Sequence, residues 1–200
     1  MISLVSDVIV ALSAACVAVI ALVGINRWRR ELGGKAKFES ARDIMLLSLK
    51  LEANFEWARY PLSTSWESPE RKRRDNESPK EAELLDQWYI RRLRLQPLLE
   101  NLQKIQELSW EAEVLLDTKS SKQVSEAIKM FKECWAELST AIEYYFSTRH
   151  EEIVKGSAYG DQNWLTELSK EIYATSNDRM FNKVGEAKER LVGVLKAHVK

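Results

Sequence analysis

Residues 8–25 form an apolar run that contains no charged side chain and ends abruptly at Arg27-Trp28-Arg29-Arg30. About 20 apolar residues in a helix cross the roughly 30 Å hydrocarbon core of a bilayer. The only charged residue before the run is Asp7. The sequence therefore predicts a transmembrane helix over residues 1–26, and this feature constrains the chain more than any other.

Basic residues cluster on the C-terminal side of this run, and such an excess marks the cytoplasmic flank of a transmembrane helix. The cluster comprises Arg27, Arg29, Arg30, Lys35 and Lys37. The indole ring of Trp28 is suited to the headgroup level. We therefore expect a single membrane pass with the N-terminus outside and the C-terminal domain in the cytoplasm. Arg27, Trp28, Arg29 and Arg30 are expected to lie at the membrane interface.

A secretory signal is the alternative interpretation of the run, but it requires a basic N-terminal region and a small-residue cleavage site. No lysine or arginine precedes Arg27. The segment Ser13-Ala14-Ala15-Cys16 is similar to a lipoprotein cleavage box, yet Cys16 is followed by the apolar residues 17–23 rather than by a polar mature start. The run is therefore expected to remain as an anchor.

The remaining residues, 35–200, have the length of one ordinary domain with a core of its own. The chain holds 30 basic and 30 acidic residues, and a net charge of zero argues against nucleic acid as the main partner. Cys16 lies in the apolar run and Cys134 in a helical pattern, so the two are expected to lie too far apart for a disulfide. Reduced cysteines suit the cytoplasm.

Apolar residues in this domain recur at intervals of three and four, which places them on one face of a helix. Four stripes predict main helices and a fifth predicts a short one. They consist of Ile44, Leu47, Leu51, Phe55 and Ala58; of Leu84, Trp88, Leu95, Leu98, Leu102 and Ile105; of Val124, Ile128, Phe131, Trp135, Leu138, Ile142 and Tyr145; of Met180, Val184, Ala187, Leu191, Val194 and His198; and of Trp164, Leu165, Leu168 and Ile172. The expected fold class is all-α: one N-terminal transmembrane helix and an antiparallel cytoplasmic bundle of four main helices plus one short helix.

Local signals predict where these helices begin and bend. The segment Ser78-Pro79-Lys80-Glu81 combines an N-cap serine, a proline at the first helical position and a glutamate three residues on. Ser176 or Asn177 is the expected N-cap of the last helix. Pro97 removes one backbone hydrogen bond and is expected to bend its helix near Leu93.

Glycine and proline predict the breaks between elements. Residues 61–78 are expected to form a mobile loop, and residues 156–160 a second break. Gly33-Gly34 is expected to act as a hinge that ends a basic juxtamembrane segment at 27–34 and precedes the domain at 35–200.

The segment after the apolar run contains Trp28-Arg29-Arg30-Glu31-Leu32, Gly34-Lys35, Phe38-Glu39 and Ala41-Arg42, and Arg59-Tyr60-Pro61 follows. In these residues the chain resembles small bacterial and prophage-associated single-pass membrane proteins of unassigned function. The resemblance covers residues 27–61, about a sixth of the chain. It implies a bacterial origin, and hence the inner membrane, together with an accessory role. It brings no catalytic residue to this sequence.

Catalytic chemistry finds little support in the sequence, which lacks a phosphate-binding Gly-rich loop, a paired-cysteine zinc motif and a nucleophile elbow. Neither His150 nor His198 follows a glutamate by three residues, as the di-iron bundle pattern requires. His150 is expected at a solvated helix end, and His198 at the edge of the core. We therefore predict no catalytic, metal-binding or cofactor-binding residue, and no small-molecule substrate is identified.

One loop is a candidate for contact with a partner or with lipid. Trp66 lies between two prolines where little core is available, and the basic residues Arg71, Lys72, Arg73 and Arg74 follow it. Such a run is commonly a solvated surface, but near a membrane it can hold anionic headgroups. The alternatives for Trp66 are contact with a partner, with lipid or with the end of the bundle.

Small residues share one face of the apolar run. Asp7, Ala11, Ala14, Ala18 and Ala21 are spaced by four and three. Small side chains let membrane helices approach closely, so this face predicts self-association, with a featureless anchor as the alternative. A carboxylate at Asp7 near the outer boundary is a candidate functional group, and a ring of such groups would favour cations at a pore mouth.

Together these features favour a membrane-anchored helical interaction module, whose partners are the lipid bilayer and either a second copy or another protein. The most specific version is an effector or accessory component of a phage-related or defence system. A signalling or scaffold protein with an inert anchor is the alternative, and a membrane-surface enzyme is less favoured. These hypotheses rest on architecture and resemblance rather than on a recognised site.

Overall fold

The computed structural model describes residues 2–62, 67, 71–158, 160–173 and 178–199, with side chains from residue 16 onward. Within these residues, five helices follow one another. They are α1 (Ile2–Arg59), α2 (Pro79–Leu115), α3 (Thr118–Lys155), α4 (Gln162–Ile172) and α5 (Arg179–Leu195). No strand occurs within these ranges. The predictions of an all-α fold and of a helical bundle are confirmed, but the predicted transmembrane segment and the first bundle helix are parts of one continuous helix, α1.

The helix α1 has an exposed N-terminal part and a C-terminal part that packs in the bundle. Its first buried side chain among those described is Ser40, and from there to Arg59 it packs against α2 and α5. It passes through Gly33 and Gly34 without a break, so the predicted hinge does not interrupt it. Each glycine costs a helix only about 1 kcal/mol relative to alanine, and both still make the backbone hydrogen bonds that a proline would remove.

The core of the bundle is built from the predicted stripes. Ile44, Leu51, Leu98, Phe131, Leu138 and Leu191 are each 0% exposed. The rings of Phe55 and Phe131 stack between α1 and α3 with their centroids 6.3 Å apart. Trp135 and Tyr145 are only partly buried at the edge of this core, whereas Trp164 on α4 is half exposed.

Aspartate and serine side chains cap the helices. Ser78 accepts a hydrogen bond from the Glu81 backbone N–H at 3.2 Å, as predicted. The N-cap of α5 is Asp178, not Ser176 or Asn177, which lie outside the described residues. Asp117 and Asp161 cap α3 and α4 in the same way. A short carboxylate accepts from the free N–H groups of a first turn and complements its partial positive charge.

Candidate membrane and partner interface

The N-terminal arm, residues 16–39 of α1, presents its side chains to solvent. Apart from the half-buried Gly33 and Ala36, every one of them is exposed. Val17, Ile20 and Val23 are 66%, 71% and 63% exposed. Soluble monomers rarely expose a contiguous apolar surface of this kind, and such surfaces mark contacts with membranes or proteins. The arm is therefore the candidate interface.

Basic and aromatic residues follow the apolar part of the arm. Trp28 is 63% exposed, and Arg29 and Arg30 are exposed beside it. Arg27 pairs with Glu31 at 2.9 Å across one turn, with both side chains largely in solvent. Exposed pairs of this kind contribute little stability. The indole ring of Trp28 and the guanidinium groups of Arg29 and Arg30 are therefore accessible to a headgroup layer.

The predicted span over residues 1–26 lies partly outside what is described, because side chains are described only from residue 16 onward. In the described part of the chain, no helix combines the length and the apolar character needed to cross a membrane. The small-residue face that was predicted to mediate self-association also lies only partly among the described side chains. Asp7, Ala11 and Ala14 fall outside the described side chains, whereas Ala18 and Ala21 are exposed on the arm.

The basic loop is more ordered around Arg71 than the sequence predicts, and Trp66 lies outside the described residues. Arg71 is only 14% exposed and binds Glu77 through two hydrogen bonds of 2.7 and 2.8 Å. Its Nε donates to Asp86 at 2.7 Å, and Arg73 reaches the same carboxylate. Since a guanidinium paired with buried carboxylates cannot also bind a headgroup, Arg71 is removed from the candidate lipid contacts. Lys72, Arg73 and Arg74 remain exposed.

The Arg71–Glu77 pair predicts a pH-dependent contribution to stability. Its hydrogen bonds hold the pKa of Glu77 at about 2, below the usual 4.5. A carboxylate whose pKa is lower in the folded state stabilises the fold above its unfolded pKa and loses that effect as the pH falls. We therefore expect Glu77→Gln to reduce the free energy of unfolding at pH 6, and the difference from wild type to vanish as the pH approaches about 2.

Urea denaturation of both proteins across this range measures the effect, with Asp75→Asn as the control because Asp75 is an exposed carboxylate in the same loop. A difference between Glu77→Gln and wild type that stayed constant with pH would contradict the pairing.

Two buried arginines of α2 close the C-terminal end of α1. Arg94 is 2% exposed and binds Glu67 through hydrogen bonds of 2.6 and 2.7 Å. It also donates to the carbonyl oxygens of Tyr60 and Leu62, both at 2.7 Å. Arg91 donates to the carbonyls of residues 58, 60 and 61. Cations placed at a helix C-terminus satisfy its free carbonyls and its partial negative charge.

Arg59, the last residue of α1, makes a matching contact with α4 and α5. It is 3% exposed and binds both oxygens of Asp178, at 2.6 and 3.0 Å. Its Nε donates to the Glu171 carbonyl at 2.8 Å, near the C-terminus of α4. One arginine therefore joins the end of α1, the end of α4 and the N-cap of α5. Arg59, Arg91 and Arg94 together form the buried arginine cluster. The hydrogen bonds described for these three residues all lie within the protein, so we assign the cluster to the stability of the fold rather than to ligand binding.

This cluster is missed by the sequence prediction, although a signal for it exists. The stripe of α2 passes from Trp88 to Leu95, and Arg91 occupies the core position between them. Arginine is almost never fully buried unless it is paired. An arginine that continues an apolar stripe therefore indicates a buried partner, but the sequence does not say which carbonyls or carboxylate supply it.

The histidines belong to small local contacts. His150 Nε2 lies 3.0 Å from a Glu81 carboxylate oxygen, and His198 Nε2 lies 3.4 Å from the Ser120 hydroxyl. Both rings are partly buried at helix ends. Over the described residues, no three histidine, cysteine or acidic side chains are grouped so that they could hold a metal ion.

Two open grooves run along α3. One, of about 790 Å³, lies between α3 and α4 and includes Trp164 and Arg179. Its charges are engaged, since Glu137 binds both Arg179 and Lys183. The other, of about 520 Å³, lies between α2 and α3 beside Trp110 and Trp135. The buried Nε1–H of Trp135 has no hydrogen-bond partner.

No protein-family model, curated protein or solved structure matches this chain.

Proposed function

We propose that this protein is a membrane-anchored helical interaction module, which the apolar N-terminal helix holds in a bacterial inner membrane. The N-terminus lies outside and the bundle lies in the cytoplasm. The observation that carries this proposal is the N-terminal arm, whose apolar side chains are exposed on the same helix that enters the core of the bundle. A bilayer removes such side chains from water, and the basic cluster after Ile25 sets the orientation.

The geometry of α1 gives the anchor a defined reach. Ser40, where burial in the bundle begins, lies fifteen positions after Ile25, and at a rise of 1.5 Å per residue the two are about 22 Å apart along the helix. The headgroup layer of one leaflet accounts for about 5–7 Å of that distance. Residues 26–39 therefore act as a stalk that holds the bundle clear of the headgroups, where its surface is open to a protein partner.

The specific form of this function that we favour is an effector or accessory component of a bacterial phage-related system. Its support is the resemblance of residues 27–61 to prophage-associated membrane proteins. In this role the bundle recognises a partner, and the membrane helix transmits that recognition to the membrane.

Topology reporters fused at Lys200 test the proposal in bacterial cells. We expect a cytoplasmic C-terminus and a protein that stays in the membrane pellet after alkaline extraction. Replacing Arg27, Arg29 and Arg30 together by glutamine should weaken the orientation, because it removes most of the positive charge that follows the span. A periplasmic C-terminus in the wild type, or full release from the membrane at high pH, would overturn the proposal.

A further inference from the structure

The exposed side of α1 carries one continuous pattern that begins in the arm and ends on the outer surface of the bundle. The positions alternate by three and four over five heptads: Ala18, Ala21, Ile25, Trp28, Leu32, Lys35, Glu39, Arg42, Leu46, Leu49 and Ala53. Eight of the eleven are apolar, and all eleven are exposed. Strict 3–4 spacing kept over several heptads is the pattern of a helix that packs along another helix.

Lipid can cover only part of this face. Leu46 and Leu49 lie on the part of α1 that packs in the bundle, yet each side chain is 51% exposed on its outer surface. At 1.5 Å per residue, Leu46 stands about 30 Å along the helix from Ile25. Three charged positions, Lys35, Glu39 and Arg42, lie between the two apolar parts. Hydrocarbon chains that surround Ile25 do not reach Leu46, so the apolar surface on the bundle needs another helix to cover it.

We propose that a second copy of the chain packs on this face, parallel to the first, so that two α1 helices form a coiled coil from the arm to the bundle. The parallel direction rests on the proposed membrane anchorage, because two copies inserted with the same topology present their helices side by side in the same direction. The register continues the small-residue face of Ala18 and Ala21 into the bundle. The interface therefore has a membrane part and a cytoplasmic part.

The charged positions in the middle of the face bring like charges of the two copies together in each layer, and the opposite charges of the neighbouring layers offset part of that repulsion. In a parallel pair, equivalent residues lie in the same layer, and the successive layers at Lys35, Glu39 and Arg42 alternate in sign. Lys35 Nζ already lies 3.8 Å from a Glu39 oxygen one turn along its own helix, and the Glu39 carboxylate of the other copy lies at the same level. Polar layers within a coiled coil lower its stability and fix its register.

Variants of the full chain that each carry one introduced cysteine test this arrangement in native membranes. The background carries Cys16→Ala, because Cys16 is exposed. Cys134 is retained because it is 0% exposed and burial raises the pKa of its thiol to about 11, so that it stays protonated. Lys35→Cys on the face is compared with Lys37→Cys, which lies half a turn away on the same helix. Leu46→Cys and Leu49→Cys are compared with Val114→Cys, which is 85% exposed on α2.

We expect oxidation to give several-fold more covalent dimer from the cysteines at positions 35, 46 and 49 than from those at 37 and 114. Equal dimer yields at positions 35 and 37, or no dimer from position 46, would overturn the pairing. An antiparallel pair would also overturn it. In that arrangement Leu46 of one copy would lie opposite the N-terminal part of the face of the other, so Leu46→Cys would form dimers only when mixed with a cysteine variant in the arm.

Membrane extraction of the same samples separates this inference from the proposed function. Protein that resists alkaline extraction but shows no face-specific dimer leaves the anchor standing and removes the coiled coil. Protein that is released from the membrane, yet still forms dimers through Leu46 and Leu49, removes the anchor and retains pairing along α1.

Discussion

Arg94→Met is expected to lower the free energy of unfolding by about 3–5 kcal/mol, the usual cost of removing one partner from a buried ion pair. The Glu67 side chain facing Arg94 is 5% exposed, so the variant removes the guanidinium that pairs with a buried carboxylate. The Leu62 carbonyl also loses its hydrogen bond from Arg94, and the Tyr60 carbonyl loses one of two donors, because Arg91 still donates to it. Guanidinium chloride denaturation of a fragment that begins at Lys35 measures the loss, since every buried side chain described lies at Ser40 or beyond.

Two further variants show whether the loss of the buried Arg94–Glu67 pair causes this decrease in stability. In the double variant Arg94→Met and Glu67→Met no buried carboxylate remains, so part of the lost stability should return, but not the part due to the two carbonyls. Arg190→Met removes an exposed pair with Glu186 and should change stability by less than about 1 kcal/mol. An Arg94→Met variant no less stable than Arg190→Met would show that Arg94 and Glu67 do not form a buried pair.

Helical periodicity predicts the bundle well because burial imposes it. Each main helix must direct one face inward, and that requirement determines the spacing of its apolar residues, such as Ile128, Phe131 and Leu138. The cap at Ser78 is equally local, since the serine, the proline and the glutamate that define it lie within four residues. Predictions of this kind succeed because the residues that determine the structure are neighbours in sequence.

Features that depend on distant residues are not predictable in this way. Asp178 is chosen over its neighbours as the N-cap of α5, and it also binds Arg59, which lies 119 residues earlier in the chain. Arg71 resembles a solvated residue of a basic run until Asp86 and Glu77 are placed beside it. The uninterrupted α1 has a related origin: Gly33-Gly34 is a weak local break signal between two strongly helical segments, and the long helix overrides it.

The candidate interface shows the same division between local and distant information. The sequence alone locates the apolar run and its small face, because both are properties of consecutive residues. The sequence also predicts the inward stripe of α1 beyond Ser40, which includes Ile44 and Leu51. The packing of these residues in the core confirms the stripe, and it leaves Leu46 and Leu49 exposed on the side that continues the face of the arm.

Phe131→Ala is expected to lower the free energy of unfolding by about 3–5 kcal/mol, which is the cost of replacing a buried phenylalanine and leaving a cavity. Phe131 is 0% exposed and stacks on Phe55, so the substitution removes the contact that joins α3 to α1. The measurement is again denaturation of the fragment from Lys35. Phe131→Leu should lose much less, because a leucine fills most of the volume.

Val114→Ala is the matched surface control, since Val114 lies on α2 and is 85% exposed. A surface substitution of this kind should change stability by no more than about 0.5 kcal/mol. If Phe131→Ala unfolded at the same denaturant concentration as Val114→Ala, the inward face of α3 would be wrongly assigned. The outward face of α1 would then be in doubt as well, because the two assignments share the Phe55–Phe131 contact.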